Sequence, residues 1–215
     1  MEKVLVVPSE SELVQQTLAG CKLYPIVQGN RALLRKTEYE WMPREDAEED
    51  ESYRQIIPYI AVFDRNDYIS RILIMERLKN SGEKRLHNKL SIGIGGHINP
   101  VDSANLAETS LYNIIQEAAQ REYNEEMNAK EPNELWLCGT LAIQDTPVDR
   151  VHLGVVFANY LNLQDAFTSP IIRETDKLDG ALQPVQNLFD VYPRLEPWSQ
   201  RVAKAILAGQ IYAKL

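Results

Sequence analysis

The chain has few cysteines, few histidines and no long apolar run. Cys21 and Cys138 are its two cysteines in 215 residues, and neither belongs to a CxxC. That excludes a disulfide framework and a thiolate zinc site, and fits apolar thiols in a reducing compartment. His87, His97 and His152 show no HxxxH or HxH spacing, so a histidine zinc centre is excluded too, and no nucleophile stands in a clear His and acid arrangement. The apolar run Val4 to Val7 stops at Pro8 and acids follow, too short for a secretory segment or a membrane span. Positive charge is also scarce: 23 Lys and Arg against 31 Asp and Glu give a net charge of −8. A broad nucleic-acid surface needs a basic stripe, so that class of partner is excluded, and any phosphate chemistry requires a local cation. The expectation is a cytoplasmic protein without a membrane segment.

What is present is an ordinary globular composition, 44% hydrophobic and 25% charged, long enough for one domain with additions. KVLVVP (3–8) reads as a strand and SESELVQQTLAG (9–20) as a short helix ending at Gly20. CKLYPIVQGNRALLRKTEYEW is ambiguous. REDAEEDE, with six acids among residues 45–51, reads as a solvated loop, since it lacks the glycine and spaced ligands of a calcium loop. It separates an expected N-terminal extension (1–54) from the main domain (55–215). There IIPYIAVF, ISRILIMERL and KLSIGIGG read as strands. A long helix follows, then LWLCGTLAIQ (135–144) and VHLGVVFANYL (151–161) as strands, and EPWSQRVAKAILAGQIYAKL as a terminal helix. The order predicts an α/β fold, a mixed sheet covered by helices.

Two features carry chemistry. Gly93, Gly95 and Gly96 precede His97 and fit neither a P-loop nor a dinucleotide fingerprint, so the cluster is either a tight turn or a phosphate cradle. The long helix says more. At about 100° per residue, Leu111, Ile115 and Ala118 share one face, and Asn113, Gln116, Gln120 and Asn124 lie opposite. Glu122, Glu125 and Glu126 continue the apolar face. Carboxylates in a last turn oppose the helix dipole by roughly 0.3–1 kcal/mol each, and Glu122 with Glu126 adds like-charge repulsion. A hard divalent cation with oxygen ligands, magnesium or manganese, would compensate both. Asn128 suits a left-handed helix cap, with Pro132 beyond it.

REYNEEMNA (121–129) resembles the second half of the Nudix box, and Gly96 its opening glycine. Two departures stand out. The box carries a glutamate six positions after its glycine and eight before its arginine; here those counts reach Asp102 and Asn113, and Asp102 stands 19 positions before Arg121. An eleven-residue insertion before the helix is implied, with Asp102 the better partner for Arg121. Residues 103–108 are expected as an extra loop or turn. The box's second glycine is replaced by Asn128. The stretch GEKRLHNKLSIGIGGHIN further resembles a bacterial branch of the superfamily called predicted phosphoesterases.

The resemblance implies a Nudix fold over about 55–213, a mixed sheet between helices, and metal-assisted attack of water on a nucleoside diphosphate linked to another group. Glu125 and Glu126 would ligate the metal with Glu122 and the Gly96 carbonyl, and Arg121 would orient a carboxylate. Glu122 or a later acid, Asp145, Asp149 or Glu174, would be the general base. Arg71, Arg77, Arg85 and His97 are candidates for substrate phosphates. A small-molecule diphosphate is the expected partner, and a homodimer is allowed. Two rival functions share the fold: a regulator that binds a nucleotide-like ligand without cleaving it, and an isomerase of the isopentenyl diphosphate type. The intact glutamates speak against the first, and the placement of Cys138 after the box against the second.

Overall fold

The computed structural model describes residues 1–64, 70–77, 89–107, 109–128, 134–161, 171–173 and 178–211, without the side chains of Arg77 and Leu178. The first half of the chain forms β1 (Lys3–Pro8), α1 (Glu12–Gly20), β2 (Val27–Gln28), α2 (Arg31–Lys36), β3 (Glu40–Pro43), α3 (Arg44–Ala47), β4 (Tyr53–Asp64), β5 (Arg71–Arg77) and β6 (Leu90–Ser91). The second half forms α4 (Leu111–Glu126), β7 (Leu135–Leu141), β8 (His152–Leu161), β9 (Leu178–Pro184), α5 (Leu188–Val191) and α6 (Pro197–Leu207). The result is the expected α/β fold, a mixed sheet flanked by helices. Among the described residues no helix is long and apolar enough to cross a membrane.

The residues group into two compact units. The first comprises Met1–Tyr59, Gly95–Arg121 and Leu137–Phe157. Its strands run in the order β2-β7-β8-β4-β1-β3. β1 lies inside this order, antiparallel to both β3 and β4, so Val4, Leu5, Val6 and Val7 are all fully buried. A strand covered on both faces needs a continuous apolar run, which VLVV supplies. The first 54 residues therefore share this unit's sheet with later parts of the chain. The acidic stretch read as a loop instead begins with the helical turn α3. Glu45 and Asp46 favour its N-terminal end, Arg44 pairs with Glu48 at 2.9 Å, and Ala47 is buried beneath.

The second unit comprises Ile60–Ile94, Glu122–Trp136 and Ala158–Leu215. Here β5 pairs with the end of β4, with β6, and along its full length with β9. β9, LDGALQP, was not anticipated, because Asp, Gly and Gln are poor strand formers and pairing with β5 decides the matter. Gly180 is needed there, since a Cβ would meet Met75 at 2.8 Å. The strand expected over KLSIGIGG shrinks to Leu90–Ser91, with a further bridge at Ile94 to Ile60. Ser91 Oγ bonds both the N–H and the carbonyl of Gly93, drawing those groups from a regular ladder. α6 is capped by Glu196, whose carboxylate accepts the N–H groups of Trp198 and Ser199.

Candidate active site

The apolar face of α4 is wider than the expected stripe. Leu111, Tyr112, Ile114, Ile115, Ala118, Ala119, Tyr123 and Met127 are all buried, an arc of more than half the helix. Asn113, Gln116, Gln120 and Asn124, expected opposite, are half-buried at its margin. The three glutamates lie within about 100° of one another on the buried arc, Glu126 and Glu122 near its middle and Glu125 near its edge. Glu122 is buried at 9% exposure, Glu126 is half-buried and Glu125 is exposed. Residues at the same angle one and two turns earlier are covered, so the packing over this face opens at the C-terminal turn, where the carboxylates are. The turn is held by residues 171–173: Arg173 N–H donates to the Glu126 carbonyl at 2.8 Å and Asn128 N–H to the Ile171 carbonyl at 2.8 Å. These bonds tie down the helix end; Pro132 lies outside the described residues.

Arg121, at the end of the helix's first-unit part, is engaged by the glycine loop. Its Nε donates to Asp102 Oδ1 at 2.8 Å, and Nη2 donates to Asp102 Oδ2 at 3.2 Å and to the His97 carbonyl at 2.9 Å. A bidentate Arg to carboxylate pair is among the strongest polar contacts a protein makes. Asp102, in a 3₁₀ turn at Pro100–Ser103, is buried, and its Oδ2 also accepts the Asn99 N–H at 2.8 Å. The insertion thus brings Asp102 to Arg121 across 19 residues. Gly95 has a steric role: a Cβ there would fall 1.9 Å from the Pro58 carbonyl oxygen. Gly96 is half-buried beside it. Asn99 was missed by sequence reading, although Asn followed three residues later by Asp is a capping-box signal.

Several candidates are already occupied. Arg71, proposed for phosphate, is ion-paired with the buried Asp64, its cross-strand partner on β4, with Nε to Oδ2 at 2.7 Å. His97 is largely buried, its ring 5.8 Å from that of His152. Burial, with the nearby positive charges of Arg44 and His152, pushes its pKa down to about 4, so it is neutral at pH 7 and a poor phosphate ligand. Asp149 accepts the N–H and hydroxyl of Thr146 and is buried, which is the work of a loop cap, whereas Asp145 is exposed. The Arg77 side chain, Arg85 and Glu174 lie outside the described residues.

The donor chemistry fits a hard divalent cation, because carboxylate and carbonyl oxygens are what such ions take. Among the described residues no three His, Cys, Asp or Glu side chains converge into a metal-ligating cluster. The glutamates are arrayed along the last turn of α4, Glu125 exposed and Glu126 half-buried.

No family model matches the chain. Protein YmaB of Bacillus subtilis (strain 168) is 32% identical over 207 residues, covering 94% of this chain and 95% of that protein. The crystal structure of Tm1382, assigned to the Nudix hydrolases, covers 96% of this chain and 99% of its own at 27% identity, with a TM-score of 0.75. The Nudix domain of Shewanella oneidensis NrtR, solved with ADP ribose, covers 74% of this chain and 89% of its own at 11% identity and a TM-score of 0.53, a likeness of fold alone. With the box residues on α4 and this fold, the chain belongs to the Nudix superfamily.

Proposed function

We propose that this protein is a divalent-metal-dependent hydrolase of a phosphoanhydride, acting on a nucleoside diphosphate linked to another group or a related diphosphate. The observation that carries the reading is the placement of Glu122, Glu125 and Glu126 on the inward arc of α4 where its cover opens. Acids kept for solubility belong on the outward side, where Glu117 is exposed. The likeness to Tm1382 over nearly the whole chain supports hydrolysis as the reaction.

A magnesium or manganese ion bound there supplies charge neutralisation on phosphoryl oxygens and a lowered pKa for water. Glu125 and Glu126 would hold it, joined by Glu122. Glu122, the most buried of the three, would also accept a proton from water, for which a carboxylate shielded from solvent is better suited than an exposed one. Arg121 orients this turn of the helix through Asp102 and is not expected to touch substrate. Residues 55–215 carry the hydrolase box, and 1–54 contribute β1 to its sheet.

The test is a panel of nucleoside triphosphates, dinucleoside polyphosphates, nucleotide sugars, coenzyme A and a non-nucleotide diphosphate, assayed for phosphate or pyrophosphate release with magnesium, manganese and neither. At least one compound should be cleaved, and only with metal. Ligand binding without cleavage of any compound would make the protein a non-catalytic regulator.

A further inference from the structure

We propose that Asn99 is a positioning residue that ties the N-terminal strand β1 to the glycine loop and, through Asp102, to Arg121. The inference rests on the metal-dependent hydrolase reading. Asn99 Nδ2 donates to the Lys3 carbonyl at 2.9 Å and reaches Glu2 Oε1 at 3.4 Å. One residue earlier, the Leu5 N–H donates to the Ile98 carbonyl at 3.0 Å. On its other side Asn99 is locked to Asp102 twice, its N–H to the carboxylate at 2.8 Å and its carbonyl accepting the Asp102 N–H at 2.9 Å. The same carboxylate holds Arg121, whose Nη2 also binds the His97 carbonyl.

The result is a continuous polar chain from the backbone of β1 to the residue before Glu122, passing through the loop that carries Gly96. β1 is among the most rigid references available, since its four central residues are fully buried. Residues 93–99 have little regular ladder of their own, so the loop that leads into the Pro100–Ser103 turn and holds Asp102 against Arg121 needs an external anchor. The Asn99 amide fits that role because it can donate to a strand carbonyl while its backbone starts the 3₁₀ turn. An apolar residue here would leave the Lys3 carbonyl without this donor and remove the side-chain tie between the loop and β1.

The test uses wild type, Asn99→Ala, Asn99→Ser and, as a control on the same turn, Ser103→Ala, whose hydroxyl donates to the Pro100 carbonyl at 2.8 Å. The first readout is hydrogen exchange of the Arg121 Nε–H in labelled, metal-free protein, identified by its loss in Arg121→Lys. Asn99→Ala and Asn99→Ser should speed exchange by about tenfold, the equivalent of one lost hydrogen bond, while Ser103→Ala leaves it unchanged. Unchanged exchange in both Asn99 variants overturns the coupling. The second readout is manganese affinity by titration together with kcat and KM on a cleaved diphosphate. Both Asn99 variants should weaken manganese binding and lower kcat by about 10- to 100-fold, the usual effect of losing a support for ligands, with KM little changed. Faster exchange with unaltered manganese affinity and kcat would make Asn99 a contact of the fold only, against the proposal. A wild type that binds manganese and cleaves nothing refutes hydrolysis, while manganese affinity still decides the positioning role; one that does neither ends both.

Discussion

Arg121 grips Asp102 through two hydrogen bonds, Nε to Oδ1 at 2.8 Å and Nη2 to Oδ2 at 3.2 Å, between residues 19 apart in sequence. The Asp102 side chain is 3% exposed and that of Arg121 26%. Asp102→Asn should therefore weaken a two-bond charge pair to a half-buried guanidinium. Fully buried pairs lose more, so a cost of roughly 2 kcal/mol is expected. For a chain of this size that corresponds to a melting point lower by about 4–8 °C. A calorimetric melt checks it, and an unchanged Tm would show the pair to be incidental.

The chemical face of α4 is tested by contrast. Glu122→Gln is nearly isosteric and should keep the fold, yet turnover should fall by on the order of 10²–10⁴ if the carboxylate takes a proton or ligates metal. Asn124→Ala, at the margin of the buried arc, should lower turnover less than threefold, about the scatter of an uninvolved site. Initial rates at saturating substrate decide between them, and equal losses in both variants would count against a catalytic role for Glu122.

Magnesium or manganese should raise the melting temperature of the wild type. Binding to the native state alone stabilises by about 2.7 kcal/mol at a hundredfold excess over Kd. In the double variant Glu125→Gln/Glu126→Gln the metal-induced shift should be lost, while the metal-free Tm stays level or rises, because two carboxylates at the negative end of a helix are gone. Differential scanning calorimetry with and without metal reads both effects. A full metal response in the double variant would place the ion elsewhere.

His97 sets a pH dependence of stability. Its pKa lies at about 4 when folded against 6.5 when free, lowered first by burial and then by Arg44 and His152, with Glu2 and Glu48 opposing. Between those values the unfolded chain binds a proton that the folded protein refuses, so protons favour unfolding. The contribution of His97 is constant above about pH 6.5 and declines as pH falls toward 4, with a slope of up to about 1.4 kcal/mol per pH unit. Urea melts of metal-free protein from pH 7 to 5 should show the decline, and His97→Gln should flatten it. The same slope in both proteins would assign the effect to other groups.

Much of this was legible in the sequence because it is local. The VLVV run, the apolar spacing of the long helix and the apolar runs of β4, β7 and β8 report which residues are buried, whatever they pack against. The box in REYNEEMNA identified the turn that carries the glutamates, and counting along its interruption selected Asp102 as the partner of Arg121. Nothing local marked β9, since LDGALQP is a strand only because β5 offers it a full antiparallel edge.

Partner choice across the sheet was likewise beyond reach. Arg71 reads as an available cation until the register of β4 and β5 sets Asp64 opposite it. Glu125 lies on the inward arc by periodicity, yet it is exposed, because it sits at the edge of that arc beside the half-buried Arg121. The side chain of Asn99 gains its meaning from Lys3, 96 residues away. Periodicity and motif fix the face on which a residue lies, since backbone geometry alone sets that angle. Which neighbour occupies the space beside it depends on distant segments meeting, and only the tertiary structure decides that.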